Sequence, residues 1–196
     1  MLGKRRKKTD LPAVCAVIVA AGSSRRMGGE NKLLLEIDGV PVLARTLSAF
    51  QKCAAIRDIV LVCREQDIMP YTELAKAFSI DKLCTVTRGG ETRTESVLAG
   101  ITAAPENAVL VAVHDGARPL ISPDLIAHTI ATLKGNIDCD GAVVAHPAVD
   151  TLKVVENGVI VGTPDRRVFW NAQTPQVFRA GIYRRAHASA LSDGFM

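Results

Sequence analysis

Short apolar runs alternate with amphipathic stretches along most of the chain. The run 13–20 is rich in valine and alanine and is followed by glycine, which is typical of a buried parallel strand. The stretch 41–52 repeats apolar residues at helical spacing behind Pro41, a residue that suits the first turn of a helix. The alternation continues with strands at 56–63, 82–88 and 140–148, a strand that begins at 108, and helices at 71–79, 92–104 and 122–135. This order predicts a doubly wound α/β fold, in which a mostly parallel sheet carries helices on both faces.

Two of the predicted helices carry recognisable start signals. Thr92 and Glu95 have the spacing of a capping box. Ser122 is the candidate N-cap of a later helix, with Pro123 at its first position and Gly135 at its end.

The pattern changes after residue 148. Two alternating runs flank Asn157-Gly158, a dipeptide that favours a two-residue hairpin turn, so we predict a β-hairpin arm at about 149–166. Its apolar residues need cover, either from a partner subunit in a homodimer or from their own domain, and the sequence favours neither. A short strand at 174–178 and a helix at 179–192 follow.

Three polar clusters follow predicted strands. They are "AAGSSRRMGGENK" at 20–32, which we call the glycine-rich segment, "RGGETRTES" at 88–96, and "HDGARP" at 114–119. Parallel sheets bind ligands beyond the carboxyl ends of their strands, so these clusters are expected to share one site.

The glycine-rich segment has the composition of an anion site. Gly22, Ser23 and Ser24 allow backbone N–H groups to approach a ligand closely, and the cations of this segment add charge that suits a triphosphate. It contains neither G-x-G-x-x-G nor the G-x-x-x-x-G-K-[ST] of a Walker A loop, so it is neither a dinucleotide fingerprint nor a P-loop.

Composition places the chain among globular proteins of one domain. It has 196 residues, 48% of them hydrophobic, and a formal net charge of +4. Five cations at 4–8 lie in a basic tail, 1–12, ahead of a predicted domain at 13–196. The remaining chain is close to neutral, which argues against a nucleic-acid partner.

The basic tail and the apolar run after it also imitate a secretory signal. The run is far shorter than the roughly 20 residues of a membrane helix, and an organised cationic segment follows it. We therefore interpret the run as the first strand of a cytoplasmic protein with no membrane partner. The five cysteines form no C-x-x-C pair and are predicted to be reduced and buried, and the four histidines show no metal-ligand spacing.

Five motifs occur in order: "VIVAAGSSRRMGGENKLLLEIDGVPVL", "RGGETRTESVLAG", "VHDGARP", "DTLK" and "WNAQTPQVF". Together they resemble the cytidylyltransferases that make 4-diphosphocytidyl-2-C-methylerythritol in the non-mevalonate isoprenoid pathway, over roughly 14–193. The resemblance implies a Rossmann-like fold of the nucleotidyltransferase type. It also implies transfer of CMP from CTP to 2-C-methyl-D-erythritol 4-phosphate, with Mg²⁺ as cofactor and pyrophosphate as second product.

The resemblance also implies roles for individual residues. Arg26 and Lys32 would be catalytic, binding the α-phosphate. Nucleotide-binding positions would be Ala20, Ala21, Gly22, Ser23, Ser24, Gly90, Glu91 and Ser96. Asp115 would belong to the magnesium and phosphate site. Positions that bind the acceptor, partly across a dimer interface, would be Asp115, Arg118, Thr151, Arg166 and Thr174.

Other interpretations of these residues stay open. Asp115 could instead cap the turn before Pro119, Ser96 could be an ordinary helix residue, and Trp170 is interpreted as a core residue rather than a base-stacking platform. The acceptor could be another polyol phosphate such as ribitol 5-phosphate, although relatives of that kind tend to carry an A-G-G-x-G-x-R-M loop.

Some motifs of the family are not found in this sequence. They are a T-D-D/E-like segment and an N-x-K-[IV]-T-like motif, both near the family's carboxyl end. We therefore expect a carboxyl-truncated chain with low stability and reduced turnover, or a fragment that binds nucleotide without turning it over.

Overall fold

The computed structural model describes residues 13–22 and 31–192. Its strands are β1 (Val14–Val19), β2 (Glu36–Ile37), β3 (Val40–Pro41), β4 (Asp58–Cys63), β5 (Leu83–Arg88), β6 (Leu110–Asp115), β7 (Gly141–Pro147), β8 (Val154–Glu156), β9 (Val159–Gly162) and β10 (Trp170–Arg179). Its α-helices are α1 (Val42–Lys52), α2 (Ile68–Ala77), α3 (Arg93–Ala103), α4 (Pro123–Gly135) and α5 (Ala180–Ser192). The basic tail lies outside the described residues.

Six strands form the central sheet in the order β5-β4-β1-β6-β10-β7. Strand β1 pairs in parallel with β4 and β6, and β4 pairs in parallel with β5. Strand β10 runs antiparallel to both of its neighbours. The predicted doubly wound, mostly parallel α/β fold is confirmed.

The alternating side chains of β1 enter two separate cores. Val14, Ala16 and Ile18 pack on one face of the sheet with side chains from α1, α2 and α4. Cys15 and Val17 point to the other face, where α3 and the start of α5 cover them. A strand covered on both faces has no polar side, and this explains the unbroken apolar run in the sequence.

Two small hairpins project from this body. Asn157 and Gly158 turn between β8 and β9 with positive φ angles of 49° and 79°, as the dipeptide predicts. Asp38 and Gly39 do the same between β2 and β3, with φ angles of 49° and 71°. The sequence pattern does not predict the β2–β3 hairpin, because its strands have two residues each and show no alternating pattern.

The predicted strand at 174–178 is too short. Strand β10 begins at Trp170, and its register with β7 shifts between Ala172 and Gln176. Most of its first residues are exposed, so no buried apolar face marks this part of the strand.

Two further expectations are corrected. Cys15, Cys53 and Cys63 are buried free thiols as predicted, but Cys84 and Cys139 are exposed. Trp170 is 60% exposed, so it is not a core residue. Burial raises the pKa of Cys15 to about 12, so this thiol is neutral and structural.

No helix in the described ranges has both the length and the apolar composition to cross a membrane.

Candidate active site

A cavity of about 700 Å³ lies at the carboxyl ends of β1, β5 and β6. Its lining residues are Val19, Ala20, Ala21, Gly22, Lys32, Leu33, Gly90, Glu91, Thr92, Arg93, Ser96, Asp115, Ala117 and Arg118. The structure therefore brings together parts of all three polar clusters. Ser23, Ser24, Arg25 and Arg26 lie outside the described residues.

The glycine-rich segment is held firmly at both described ends. At its start, the backbone N–H of Ala20 donates to the Val62 carbonyl at 2.7 Å. At its other end, Lys32 reaches the cavity from a turn in which Leu34 N–H donates to the Asn31 carbonyl at 2.9 Å. The exposed Lys32 side chain is thus carried by an ordered turn.

The second cluster forms a tight turn against the start of α3. Gly90 N–H lies 3.2 Å from the Ser96 hydroxyl oxygen, and Gly89 N–H donates to the Cys63 carbonyl at 2.8 Å. A Cβ added at Gly89 would lie 2.6 Å from the Ser96 oxygen, so the turn requires glycine there. Ser96 is 2% exposed, and its hydroxyl therefore supports the cavity wall.

Helix α3 begins with the predicted capping box. The Thr92 hydroxyl accepts from Glu95 N–H at 3.1 Å, and Thr92 N–H donates to the Glu95 carboxylate at 2.9 Å. This arrangement fixes Arg93, the first residue of the helix, at the cavity wall.

Asp115 joins the second and third clusters. Arg93 donates two hydrogen bonds to one of its oxygens, at 3.1 and 3.0 Å, and Arg118 Nε donates to the other at 3.0 Å. Partial burial alone would raise the pKa of Asp115, but the two guanidinium groups hold that pKa below its ordinary value. Sequence reasoning did not single out Arg93, although its place in "RGGETRTES" was a usable signal.

The surroundings of Asp115 bear on its predicted role as a magnesium ligand. Mg²⁺ takes oxygen ligands, often one or two carboxylates. Both Asp115 oxygens already accept arginine N–H groups, and within 13–22 and 31–192 no three His, Cys, Asp or Glu side chains are placed to hold a metal. A single carboxylate can suffice when phosphate oxygens supply the other ligands, so the metal role of Asp115 stays a prediction.

A buried histidine anchors the third polar cluster, 114–119, to the core. His114 Nε2 lies 3.3 Å from the Arg118 carbonyl, which can only accept, so Nε2 carries the proton. Its Nδ1 accepts from the Thr174 hydroxyl at 2.8 Å, and its ring packs on Phe50. Burial lowers the pKa of His114 to about 4, so the ring is neutral near pH 7.

Three predicted acceptor-binding residues lie away from this cavity lining. Thr174 is 7% exposed and bonded to His114. Thr151 and Arg166 lie on the surface at the two ends of the hairpin arm, where Arg166 Nη1 donates to the Val149 carbonyl at 2.7 Å. Their roles stay predictions.

Fold and cavity together define the class of protein. Small-residue loops beyond the carboxyl ends of parallel strands, with Lys32, Arg93 and Arg118 beside them, describe a site for a phosphorylated nucleotide. Residues 14–196 match the family described as IspD: 2-C-methyl-D-erythritol 4-phosphate cytidylyltransferase. The chain belongs to this family.

Similar sequences carry the same description. A 2-C-methyl-D-erythritol 4-phosphate cytidylyltransferase of Geobacter metallireducens is 40% identical over 190 residues, covering 94% of this chain and 80% of the relative. One of Dehalococcoides mccartyi strain 195 is 43% identical over 185 residues, covering 92% and 80%. This chain is thus shorter than these relatives.

Solved structures agree with the sequence comparison. The 4-diphosphocytidyl-2C-methyl-D-erythritol synthase of Anaerococcus prevotii superposes with a TM-score of 0.81 at 30% identity, covering 93% of this chain and 77% of that one. The cytidylyltransferase of Francisella tularensis superposes with a TM-score of 0.74 at 28% identity, covering 93% and 80%.

Proposed function

We propose that this protein transfers CMP from CTP to 2-C-methyl-D-erythritol 4-phosphate, releasing pyrophosphate and forming 4-diphosphocytidyl-2-C-methyl-D-erythritol. The observation that carries the proposal is the cavity in which Lys32, Arg93 and Arg118 meet backbone turns of small residues. The family to which the chain belongs supports the choice of nucleotide and acceptor.

The reaction needs charge and positioning from the protein. An oxygen of the acceptor phosphate attacks the α-phosphorus of CTP, and the bond from that phosphorus to the oxygen bridging to the β-phosphate breaks. Two anions must meet and negative charge grows on the leaving pyrophosphate, so fixed cations lower the barrier without a covalent nucleophile. Lys32 supplies such a cation from the rim of the cavity, and Arg26 is proposed to act with it.

Asp115 has a supporting role in this mechanism. Its carboxylate accepts from both Arg93 and Arg118, so it holds the two guanidinium groups at one side of the cavity. Arg118 also donates to the Gln173 side-chain oxygen, which links this side of the cavity to β10. Magnesium, when present, would be bound by phosphate oxygens of the nucleotide together with a cavity carboxylate such as Asp115.

We further propose a homodimer formed through the hairpin arm. The residues Val154, Val155, Val159, Ile160 and Val161 are each 46–64% exposed, so the described part of the chain does not cover them. Burial against a second copy would remove this apolar surface from water, and it could bring Thr151 and Arg166 toward a partner's cavity. A cytoplasmic location is proposed as well, since Cys15, Cys53 and Cys63 are free thiols.

Pyrophosphate release tests the reaction. The 196-residue chain is mixed with CTP, Mg²⁺ and 2-C-methyl-D-erythritol 4-phosphate, and ribitol 5-phosphate replaces the acceptor in a parallel reaction. We expect release with the first acceptor and much less with the second. A preference for ribitol 5-phosphate would overturn the proposed acceptor, and CTP binding without turnover would make this chain a nucleotide-binding fragment.

A matched pair of lysine variants tests the site. Lys32→Ala should lower kcat roughly 100- to 1,000-fold, as does loss of one oxyanion-hole donor. Lys134→Ala removes another exposed lysine, from the last turn of α4 and away from the cavity lining, and should leave kcat unchanged. Equal effects of the two variants would exclude a specific role for Lys32.

A further inference from the structure

The lysine of the cavity stands between two anchored neighbours. Leu33, which follows it, is 3% exposed, and the Leu33 carbonyl accepts from Leu43 N–H at 3.0 Å, tying the turn to the start of α1. Asn31, which precedes it, closes the turn twice. Its side-chain oxygen accepts from Leu33 N–H at 3.2 Å, and its carbonyl accepts from Leu34 N–H at 2.9 Å.

The Asn31 side chain is itself held from below by α2. The phenol oxygen of Tyr71 lies 2.8 Å from the Asn31 amide nitrogen and 3.1 Å from its side-chain oxygen. Tyr71 is 1% exposed and packs in the core beneath the turn. Neither Tyr71 nor Asn31 lines the cavity, so any effect that they have on a ligand there is indirect.

The presence of a buried tyrosine hydroxyl beneath this turn requires a physical explanation. The ring fills core volume that phenylalanine would fill equally well, and a buried hydroxyl is unfavourable unless it finds a partner. The partner here is a side chain that also shapes the turn carrying Lys32. The lysine side chain is long, and every rotamer it adopts starts from the backbone position that this turn fixes.

We propose that Tyr71 is a positioning residue for Lys32, acting through its hydrogen bond with Asn31. The bond fixes the carboxyl end of the glycine-rich segment, so that the ammonium group meets the phosphates of the nucleotide in one place. This inference rests on the proposed function, because the positioned lysine acts on a triphosphate.

The proposal is tested by measuring the kcat of a set of variants, both in the wild-type chain and in a Lys32→Ala chain. Tyr71→Phe removes only the hydroxyl and Asn31→Ala removes its partner. Each should lower kcat about 5- to 10-fold with little change in the KM for the acceptor. The double variant should be no slower than the slower single variant, because Tyr71 acts only through Asn31 and Asn31→Ala already removes the Tyr71 contact. In a Lys32→Ala background, Tyr71→Phe should have no further effect on kcat.

The control variant removes a hydroxyl from the next residue of the same helix. Thr72 donates to the Ile68 carbonyl at 2.7 Å within α2, so Thr72→Val should keep wild-type kcat. A purely structural role for Tyr71 predicts the opposite pattern. Tyr71→Phe would then lower kcat by the same factor with or without Lys32, and that result, or an unchanged kcat in Tyr71→Phe, would overturn the proposal.

A binding measurement separates this proposal from the proposed function. If the wild-type chain releases no pyrophosphate, the reaction is wrong or the chain is a fragment, and inorganic tripolyphosphate becomes the probe. Calorimetry should then show a Kd that Lys32→Ala weakens and that Tyr71→Phe weakens about threefold, but only when Lys32 is present. Tripolyphosphate binding that does not depend on Lys32, or no binding at all, would overturn the positioning role.

Discussion

At the scale of single residues, Gly90 shows how tightly the cavity wall is built. A Cβ added there would lie 2.3 Å from the Glu95 Cβ, an atom fixed to the first turn of α3. Gly90→Ala must therefore displace the turn or the helix, both of which line the cavity. We expect the free energy of unfolding to fall by about 1–3 kcal/mol and CTP binding to weaken, as measured by urea denaturation and calorimetry.

Gly135 provides the comparison for this prediction. A Cβ added at Gly135 would meet nothing within 4 Å, and its φ angle is not positive. Gly135→Ala at the end of α4 should keep wild-type CTP affinity and be neutral or slightly stabilising. If both variants bind CTP like the wild type, the close approach at Gly90 has no bearing on the site.

The buried side chain of His114 should make the free energy of unfolding depend on pH. Its pKa lies at about 4 in the folded chain and near 6.5 when exposed, so between these values the unfolded state binds more protons. This depressed pKa contributes stability that is complete above pH 6.5 and is lost as pH falls toward 4, by roughly 3 kcal/mol in total. Urea unfolding at a series of pH values should show the loss.

Two histidine variants identify the group responsible. His114→Gln should flatten the stability profile between pH 4 and 6.5, at the cost of a lower overall stability. His128→Gln, at an exposed position of α4, should keep the wild-type slope. A slope that survives in His114→Gln would assign it to another group.

At the scale of elements, substitutions at two helix N-caps should distinguish an effect on stability from an effect on CTP binding. Thr92 caps α3 and lines the cavity, whereas Ser122 caps α4 and does not. Thr92→Ala and Ser122→Ala should each cost about 1 kcal/mol of unfolding free energy. Only Thr92→Ala should also weaken CTP binding, because it loosens the turn that places Arg93. Calorimetry showing the same CTP affinity in both would contradict this.

The elements that could be predicted from the sequence are those whose signals are local. An apolar run such as 13–20, the Thr92–Glu95 spacing and Asn157-Gly158 each reflect an interaction within a few residues, and each element is present. The first half of β10 could not be predicted, since its pairing with β7 depends on a partner some 25 positions away in the chain. The β2–β3 hairpin was missed because each of its strands has two residues.

The residues of the candidate site also divide into those predicted from local motifs and those that only the fold brings together. Lys32, Gly90 and Asp115 were predicted from motifs, and all three line the cavity. The bonds Tyr71–Asn31 and His114–Thr174 join residues 40 and 60 positions apart. Such pairs leave no local pattern, so the residues that support the site were visible only in the fold.

At the scale of the whole molecule, one stretch of the described chain, 154–170, carries many exposed apolar residues. The hairpin valines and Ile160 are followed by Val168, Phe169 and Trp170, which are 74%, 42% and 60% exposed. Both faces of the hairpin are apolar, since Val159, Ile160 and Val161 are consecutive and neighbouring residues of a strand point to opposite faces. Exposed apolar residues on both faces of an arm are typical of a subunit interface.

The proposed dimer predicts that one charge in this surface separates the subunits. Light scattering after gel filtration should give the wild-type chain about twice its 20.9 kDa mass and Ile160→Asp a single copy, because the carboxylate would be buried unpaired at the interface. Ile137→Asp is the matched control, since Ile137 is 80% exposed in the turn after α4 and outside the hairpin, and it should remain dimeric. If Ile160→Asp keeps the wild-type mass, the hairpin is not the interface. If the wild type is already a single copy, the arm's apolar surface needs another occupant. Loss of turnover in a folded, monomeric Ile160→Asp would further indicate that Thr151 and Arg166 act on the site of a partner subunit.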